Sequence, residues 1–188
     1  MKKLDLVLAS QSPRRKELME VIGLPFRIEV ADIDETMDLN GDLVEEIKLL
    51  AYRKAKVIAD KSQNSVVVGA DTIVVYENKV LGKPKNNADA FEMLRLLSGK
   101  THKVLTGVSI IDCGDVKMYC SISDVTFNEL SDVEIQKYIE TKEPMDKAGA
   151  YGIQGFGGCF VREIKGDYYT IMGLPLSLVY QELMTIFS

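Results

Sequence analysis

The run from Ser65 to Tyr76 constrains the fold of this chain more than any other stretch. It is a nearly continuous β-branched segment, the pattern of a strand buried on both faces of a sheet. Strand and helix patterns alternate around it. Leu4 to Ala9 reads as a strand, Pro13 to Ile22 as a helix with Leu18, Val21 and Ile22 on one stripe, and Phe26 to Val30 as a short strand. A long amphipathic helix covers Leu43 to Asp60, with Leu43, Ile47, Leu50, Ala51 and Ile58 along its apolar face. Past the central strand, Asn78-Lys79 makes a turn before Val80-Leu81, and Asn87 caps a helix that runs through Leu97. Lys103 to Asp112 and Val116 to Phe127 flank Cys113-Gly114-Asp115 as a hairpin. Ser131 and Glu134 form a capping box for a helix to Glu140. A glycine-rich loop spans Asp146 to Gly158, a second hairpin pairs Cys159 to Ile164 with Tyr168 to Met172, and a closing helix starts at Pro175. The class is mixed α/β.

With 188 residues, 46% of them hydrophobic, the chain suits one compact domain or two small lobes sharing a sheet. There is no repeat, no low-complexity linker and no clear domain boundary. The formal net charge of −5 excludes a non-specific nucleic-acid binder, which needs a basic face. Phosphate recognition here has to be local, built from a few placed cations. Cys113, Cys120 and Cys159 are odd in number and lack paired metal-ligand spacing, so they read as small apolar filler in a reduced, cytoplasmic protein. Asp5 interrupts the apolar run that a signal peptide would need after Met1-Lys2-Lys3, and no stretch approaches a membrane span.

Asp71 is the most telling single residue. It sits in Val66-Val67-Val68-Gly69-Ala70-Asp71-Thr72-Ile73-Val74-Val75, where a carboxylate is desolvated unless a cation, a metal or a set of hydrogen bonds meets it. Carboxylates so placed serve as general bases with a raised pKa or as metal ligands; a strand-end carboxylate at the surface is the plain alternative. The helical period puts Lys54 on the apolar stripe between Leu50 and Ile58, and Arg14 in the same relation to Leu18. Either cation alone would be read as snorkelling to water. Together with a buried carboxylate they suggest a charged pocket.

At the first helix, Ser12 suits the N-cap and Pro13 the first helical position, yet Arg14, Arg15 and Lys16 follow at once. Cations oppose the helix dipole there, which makes sense if an anion is held by free backbone N–H groups and by Arg14 and Arg15. Ser10 and Ser12 then serve as phosphate donors, there being no nucleophile elbow around them. Lys83 stands between Gly82 and Pro84, where a stiff loop can aim its ammonium at a phosphate. Asp32, Asp34 and Glu35 form an acidic cluster of the kind that holds Mg²⁺ through one or two carboxylates, or that is merely solvated. The Asp146–Gly155 segment offers close backbone approach and one amide, Gln154, able to read a base edge. It matches neither the phosphate loop of kinases nor a dinucleotide fingerprint. His102 has no partner at a telling spacing and reads as structural.

Ala9-Ser10-Gln11-Ser12-Pro13-Arg14-Arg15, Asp34-Glu35, Lys54-Ala55, Gly69-Ala70-Asp71-Thr72, Gly82-Lys83-Pro84, Leu97-Ser98-Gly99-Lys100-Thr101-His102, Asp146 to Gly155 and Gly173-Leu174-Pro175 occur in that order. As a set they resemble the Maf-like nucleoside triphosphate pyrophosphatases, over essentially the whole chain. The resemblance implies one domain over residues 1–188: an elongated mixed sheet flanked by helices, two lobes around a central cleft, similar to the inosine triphosphate pyrophosphatases. It implies cleavage of the α–β phosphoanhydride to a monophosphate and pyrophosphate. Asp71 would be the catalytic carboxylate and Glu35 its companion at a divalent cation, Mg²⁺ ahead of Mn²⁺. Ser10, Arg14, Arg15, Lys54 and Lys83 would hold phosphates. Arg14, Thr72 and Gln154 fall where the family sets base choice, in a combination similar to the dTTP/UTP branch. The branch acting on 7-methyl-GTP has an aromatic residue at the Arg14 position. A homodimer is also implied. Two other readings remain: a nucleotide-binding regulator of cell division and septum formation, and a pyrophosphatase for modified or non-canonical nucleotides.

Overall fold

The computed structural model describes residues 5–30, 32–62 and 64–187; Leu4, expected to open the first strand, lies outside them. In chain order the elements are β1 (Asp5–Leu8), α1 (Pro13–Ile22), β2 (Arg27–Ile28), α2 (Leu43–Ala59), β3 (Ser65–Tyr76), β4 (Lys79–Leu81), α3 (Asn87–Leu97), β5 (Thr101–Asp112), β6 (Asp115–Phe127), α4 (Asp132–Glu140), β7 (Val161–Lys165), α5 (Tyr168–Met172) and α6 (Leu176–Phe187). Short 3₁₀ turns occupy Glu143–Asp146, Ala148–Ala150 and Phe156–Phe160. The sheet is mixed, in the order β2-β1-β3-β5-β6-β7 with β4 on β3. β1 runs parallel to both β2 and β3, whereas β4 and β7 pair antiparallel with β3 and β6.

β3 is buried from Ser65 to Ala70 and again from Ile73 to Val75. Asp71 and Thr72 alone break that burial before the strand's last residue. The chain divides into two compact units. The first comprises residues 1–71, 106–121 and 173–188. In it α2 lies close to the sheet at two glycines. A Cβ on Gly69 would come within 2.5 Å of the Ala51 carbonyl oxygen, and one on Gly107 would strike the Ile47 carbonyl. Val7, Ala9, Ala55, Ile58, Val67 and Ile111 fill the space around this contact. The second unit comprises residues 72–105 and 122–172. Its core joins Leu94 and Leu97 of α3 to Ile135 and Tyr138 of α4 and to Phe127, Tyr151 and Phe160. Phe127 meets Tyr151 edge-on at 4.7 Å and His102 at 5.0 Å.

Several local expectations need correction. On α1 the buried stripe is Arg15, Leu18 and Met19, while Val21 is exposed. α3 is capped by Asn86, whose side chain accepts from the Asp89 N–H, one residue earlier than Asn87. Tyr168–Met172 is a helix, not a strand. Asp167 follows Gly166 at φ 127°, and its carboxylate accepts from the N–H groups of Tyr169 and Thr170, which starts a helix despite a β-favouring composition. Cys113 and Cys159 are exposed rather than apolar filler, and Cys120 is half-buried. The Ser131–Glu134 capping box forms as expected. Among the described residues, no helix is long and apolar enough to cross a membrane.

Candidate active site

The turn between β1 and α1 is built on Ser10. Its Oγ accepts from the Ser12 N–H at 3.2 Å and from Arg15 Nη1 at 3.3 Å. Ser12 is the N-cap residue, with extended backbone, but its hydroxyl caps nothing in α1. Arg15 is the buried cation of this helix, and its Nε donates to the Gly173 carbonyl at 2.8 Å. Arg14, expected to lean inward, is half-buried. The one-residue offset between Arg15 with its i+4 neighbour Met19, and Arg14 with Leu18, is a rotation of about 100° that periodicity alone resolves poorly. Burial pulls the Arg15 guanidinium below its ordinary pKa; Asp71 opposes that pull, Arg14 adds to it and Glu35 opposes it. Asp71, Arg14 and Glu35 therefore all lie within electrostatic reach of Arg15.

Lys54 completes the cluster from α2. Its Nζ donates to Asp71 Oδ1 at 2.6 Å and pairs with Glu35 Oε1 at 2.9 Å. The Lys54 side chain is only 12% exposed and that of Asp71 19%, so the ammonium supplies the partner that a carboxylate inside β3 requires. Glu35 reaches the same ammonium from an exposed loop, its side chain 63% exposed. The neighbouring Arg53 holds that loop, donating to the Asp34 carbonyl at 3.0 Å and to the Thr36 carbonyl at 2.9 Å, one on each side of Glu35. Asp34 is engaged within its own loop. Its Oδ1 accepts from the Thr36 hydroxyl and N–H, which hold its carboxyl below the ordinary value. Asp32 is exposed. Among the described residues, no group of three or more His, Cys, Asp or Glu side chains is arranged to hold a metal. Glu35 and Asp71, brought together by one ammonium, are a pair of hard oxygen donors of the number Mg²⁺ takes when substrate phosphates complete its shell.

The second unit carries the other expected residues. Thr72 follows Asp71 in β3 and is half-buried. Lys83 is exposed after β4, and Gln154 is exposed in the glycine-rich loop. The Gly149 N–H donates to the Gly82 carbonyl at 3.1 Å, which ties the Lys83 loop to the start of the Gln154 loop. Gly149, at φ 68°, sits against Val74, where a Cβ would come within 3.0 Å. His102 is structural as expected, its Nε2 sharing a 2.8 Å hydrogen bond with the Tyr151 hydroxyl. Arg53 and Glu143 were not singled out by sequence. Arg53 resembles any helix-surface cation, and Glu143 precedes the loop it serves.

A dTTP/UTP pyrophosphatase from Bacillus cereus is 51% identical over 178 residues, covering 95% of this chain and 88% of that one. Among solved structures, a HAM1 protein from Coxiella burnetii superposes with a TM-score of 0.55 at 16% identity, covering 97% of this chain and 99% of that one. The Staphylococcus aureus Ham1 protein gives 0.54 at 15% identity, covering 96% and 98%. At such identities these two show the shared α/β fold alone. Residues 5–186 match the Maf-like protein family, and with a relative of this identity over nearly its whole length, the chain belongs to that family.

Proposed function

We propose that this protein is a nucleoside triphosphate pyrophosphatase acting on dTTP and UTP, releasing the monophosphate and pyrophosphate. The observation that carries this reading is the Lys54 ammonium shared by Asp71 and Glu35. Phosphoanhydride hydrolysis asks little covalent chemistry of a protein; it needs placed positive charge and a carboxylate to orient or deprotonate water. Arg14, Arg15 and Lys54 supply the charge, Ser10 hydrogen-bonds a phosphate oxygen, and Lys83 adds a further ammonium. Asp71 takes the proton of the attacking water or, with Glu35, holds a divalent cation, Mg²⁺ ahead of Mn²⁺. When bound, that cation spreads charge developing on the phosphates and acidifies coordinated water. Thr72, Gln154 and Arg14 choose the base. The relative named dTTP/UTP pyrophosphatase supports the choice of substrate. A reducing cytoplasm is in keeping with three free thiols, and a homodimer is part of the proposal.

A panel of nucleoside triphosphates with Mg²⁺, with products resolved, tests the reading. Pyrophosphate and dTMP or UMP are expected; orthophosphate and a diphosphate would refute it. Asp71→Asn should lower kcat by about 10²–10⁴ while the melting temperature holds, because the amide keeps the shape but neither accepts a proton nor carries charge. Turnover within a few-fold of the parent protein would remove Asp71 from the mechanism.

A further inference from the structure

Glu143 lies at the head of the glycine-rich loop, in the first 3₁₀ turn after α4. Its carboxylate accepts three hydrogen bonds. The Tyr138 hydroxyl donates at 2.8 Å, the Phe156 N–H at 2.9 Å and the Gly157 N–H at 3.2 Å. The same tyrosine oxygen accepts from the Gly152 N–H at 3.1 Å. One carboxylate and one phenol thus anchor both ends of the segment that carries Gln154. The glycines follow from this. A Cβ on Gly155 would strike Glu143 Oε2, and one on Gly157 would come within 2.7 Å of the Tyr138 oxygen and 2.8 Å of the Gly152 carbonyl. Phe156 stacks on the Tyr138 ring at 5.7 Å and closes the turn. Burial alone would raise the Glu143 carboxyl; the N–H groups of Phe156 and Gly157, the Tyr138 hydroxyl and Lys147 outweigh it and hold it below the ordinary value.

We propose that Glu143 is the positioning residue of base recognition: its carboxylate fixes the Gly152–Gly157 turn, and through it the place of Gln154, so that Glu143 sets how tightly the pyrimidine is held. This rests on the functional reading above. A carboxylate is suited to the task because it accepts from several donors at once, whereas an amide presents one acceptor oxygen and an N–H₂ group that opposes a backbone N–H.

Glu143→Gln separates base recognition from phosphate binding and from stability. Calorimetry should show dTMP binding weakened about tenfold and inorganic pyrophosphate binding unchanged within about twofold. KM for dTTP should rise with kcat nearly constant, and the preference for dTTP over dCTP should narrow, a split that lost fold alone does not produce. Unchanged dTMP affinity and unchanged base preference, or equal loss of dTMP and pyrophosphate binding, would overturn the proposal. If Glu143→Gln does not fold, Tyr138→Phe decides. It removes one donor to Glu143 and the acceptor for Gly152, and should weaken dTMP selectively; a wild-type base preference in that variant would overturn the assignment. Parent protein that cleaves dTTP while both variants keep its selectivity defeats only this inference. Parent protein that neither binds dTMP nor cleaves dTTP defeats the functional reading, and this inference with it.

Discussion

His102 is 1% exposed and has a ring nitrogen, Nδ1, without a hydrogen-bond partner, while its Nε2 meets the Tyr151 hydroxyl. Burial pushes its pKa down to about 4, only weakly opposed by Asp124. The folded protein therefore keeps the imidazole neutral where the unfolded chain, with an ordinary histidine near 6.5, binds a proton. This contribution to stability is fully present above about pH 6.5 and is lost as pH falls towards 4. Its full size there is about 3 kcal/mol. His102→Gln, which keeps an amide for Tyr151, should show a shallower decline of unfolding free energy between pH 6.5 and 4 than the parent, the carboxylates titrating alike in both. Parallel declines would show that burial does not hold His102 neutral. At this scale the sequence was informative where a residue contradicts its surroundings, as Asp71 does inside β3 and Lys54 on the stripe of α2. It was silent where a residue acts on backbone far from its own pattern. Glu143 works on N–H groups 13 and 14 positions away, and no periodicity points to it.

Helix α2 is the element on which the site depends, since Arg53 and Lys54 both project from it, and it sits where two strands offer no side chain. Gly69→Ala would put a methyl group 2.5 Å from the Ala51 carbonyl oxygen and 2.9 Å from the Ala55 nitrogen, so backbone has to move. Overpacking of this kind costs about 1–3 kcal/mol, which for a chain of this length lowers the melting temperature by about 3–10 °C. Because the helix moves as a unit, turnover measured well below the melting temperature should fall as well. Normal turnover in a destabilised variant would show that the shift does not reach Lys54. Most elements were legible from pattern: β3 and α1 begin and end where expected, and the Ser131 capping box forms. Failures came where a single polar contact overrode composition. Asp167 converts the Tyr-Tyr-Thr-Ile-Met segment into α5, and Arg15 is buried more deeply than the half-buried Arg14, with Ser10 and Gly173 as its acceptors.

The first unit is assembled from three separated stretches of chain, the last of which contributes the Gly173 carbonyl and the buried Leu174, Val179 and Leu183. Each such leucine or valine stabilises by about 1.5–3 kcal/mol, against a total stability of about 5–15 kcal/mol for a domain. A chain ending at Met172 keeps all of the second unit but is therefore expected to have no pyrophosphatase activity and to lose amide hydrogen-exchange protection in β1, α1 and α2. Protection of those segments equal to that of the parent protein would show that the first unit closes without α6. The contact between Arg15 and Gly173 spans 158 residues. At ribosomal speeds of about 5–20 residues per second, the guanidinium waits roughly 10–30 s for its acceptor to be synthesised. The buried guanidinium of α1 is thus translated well before the carbonyl that holds it, and this contact is completed only once Gly173 has emerged.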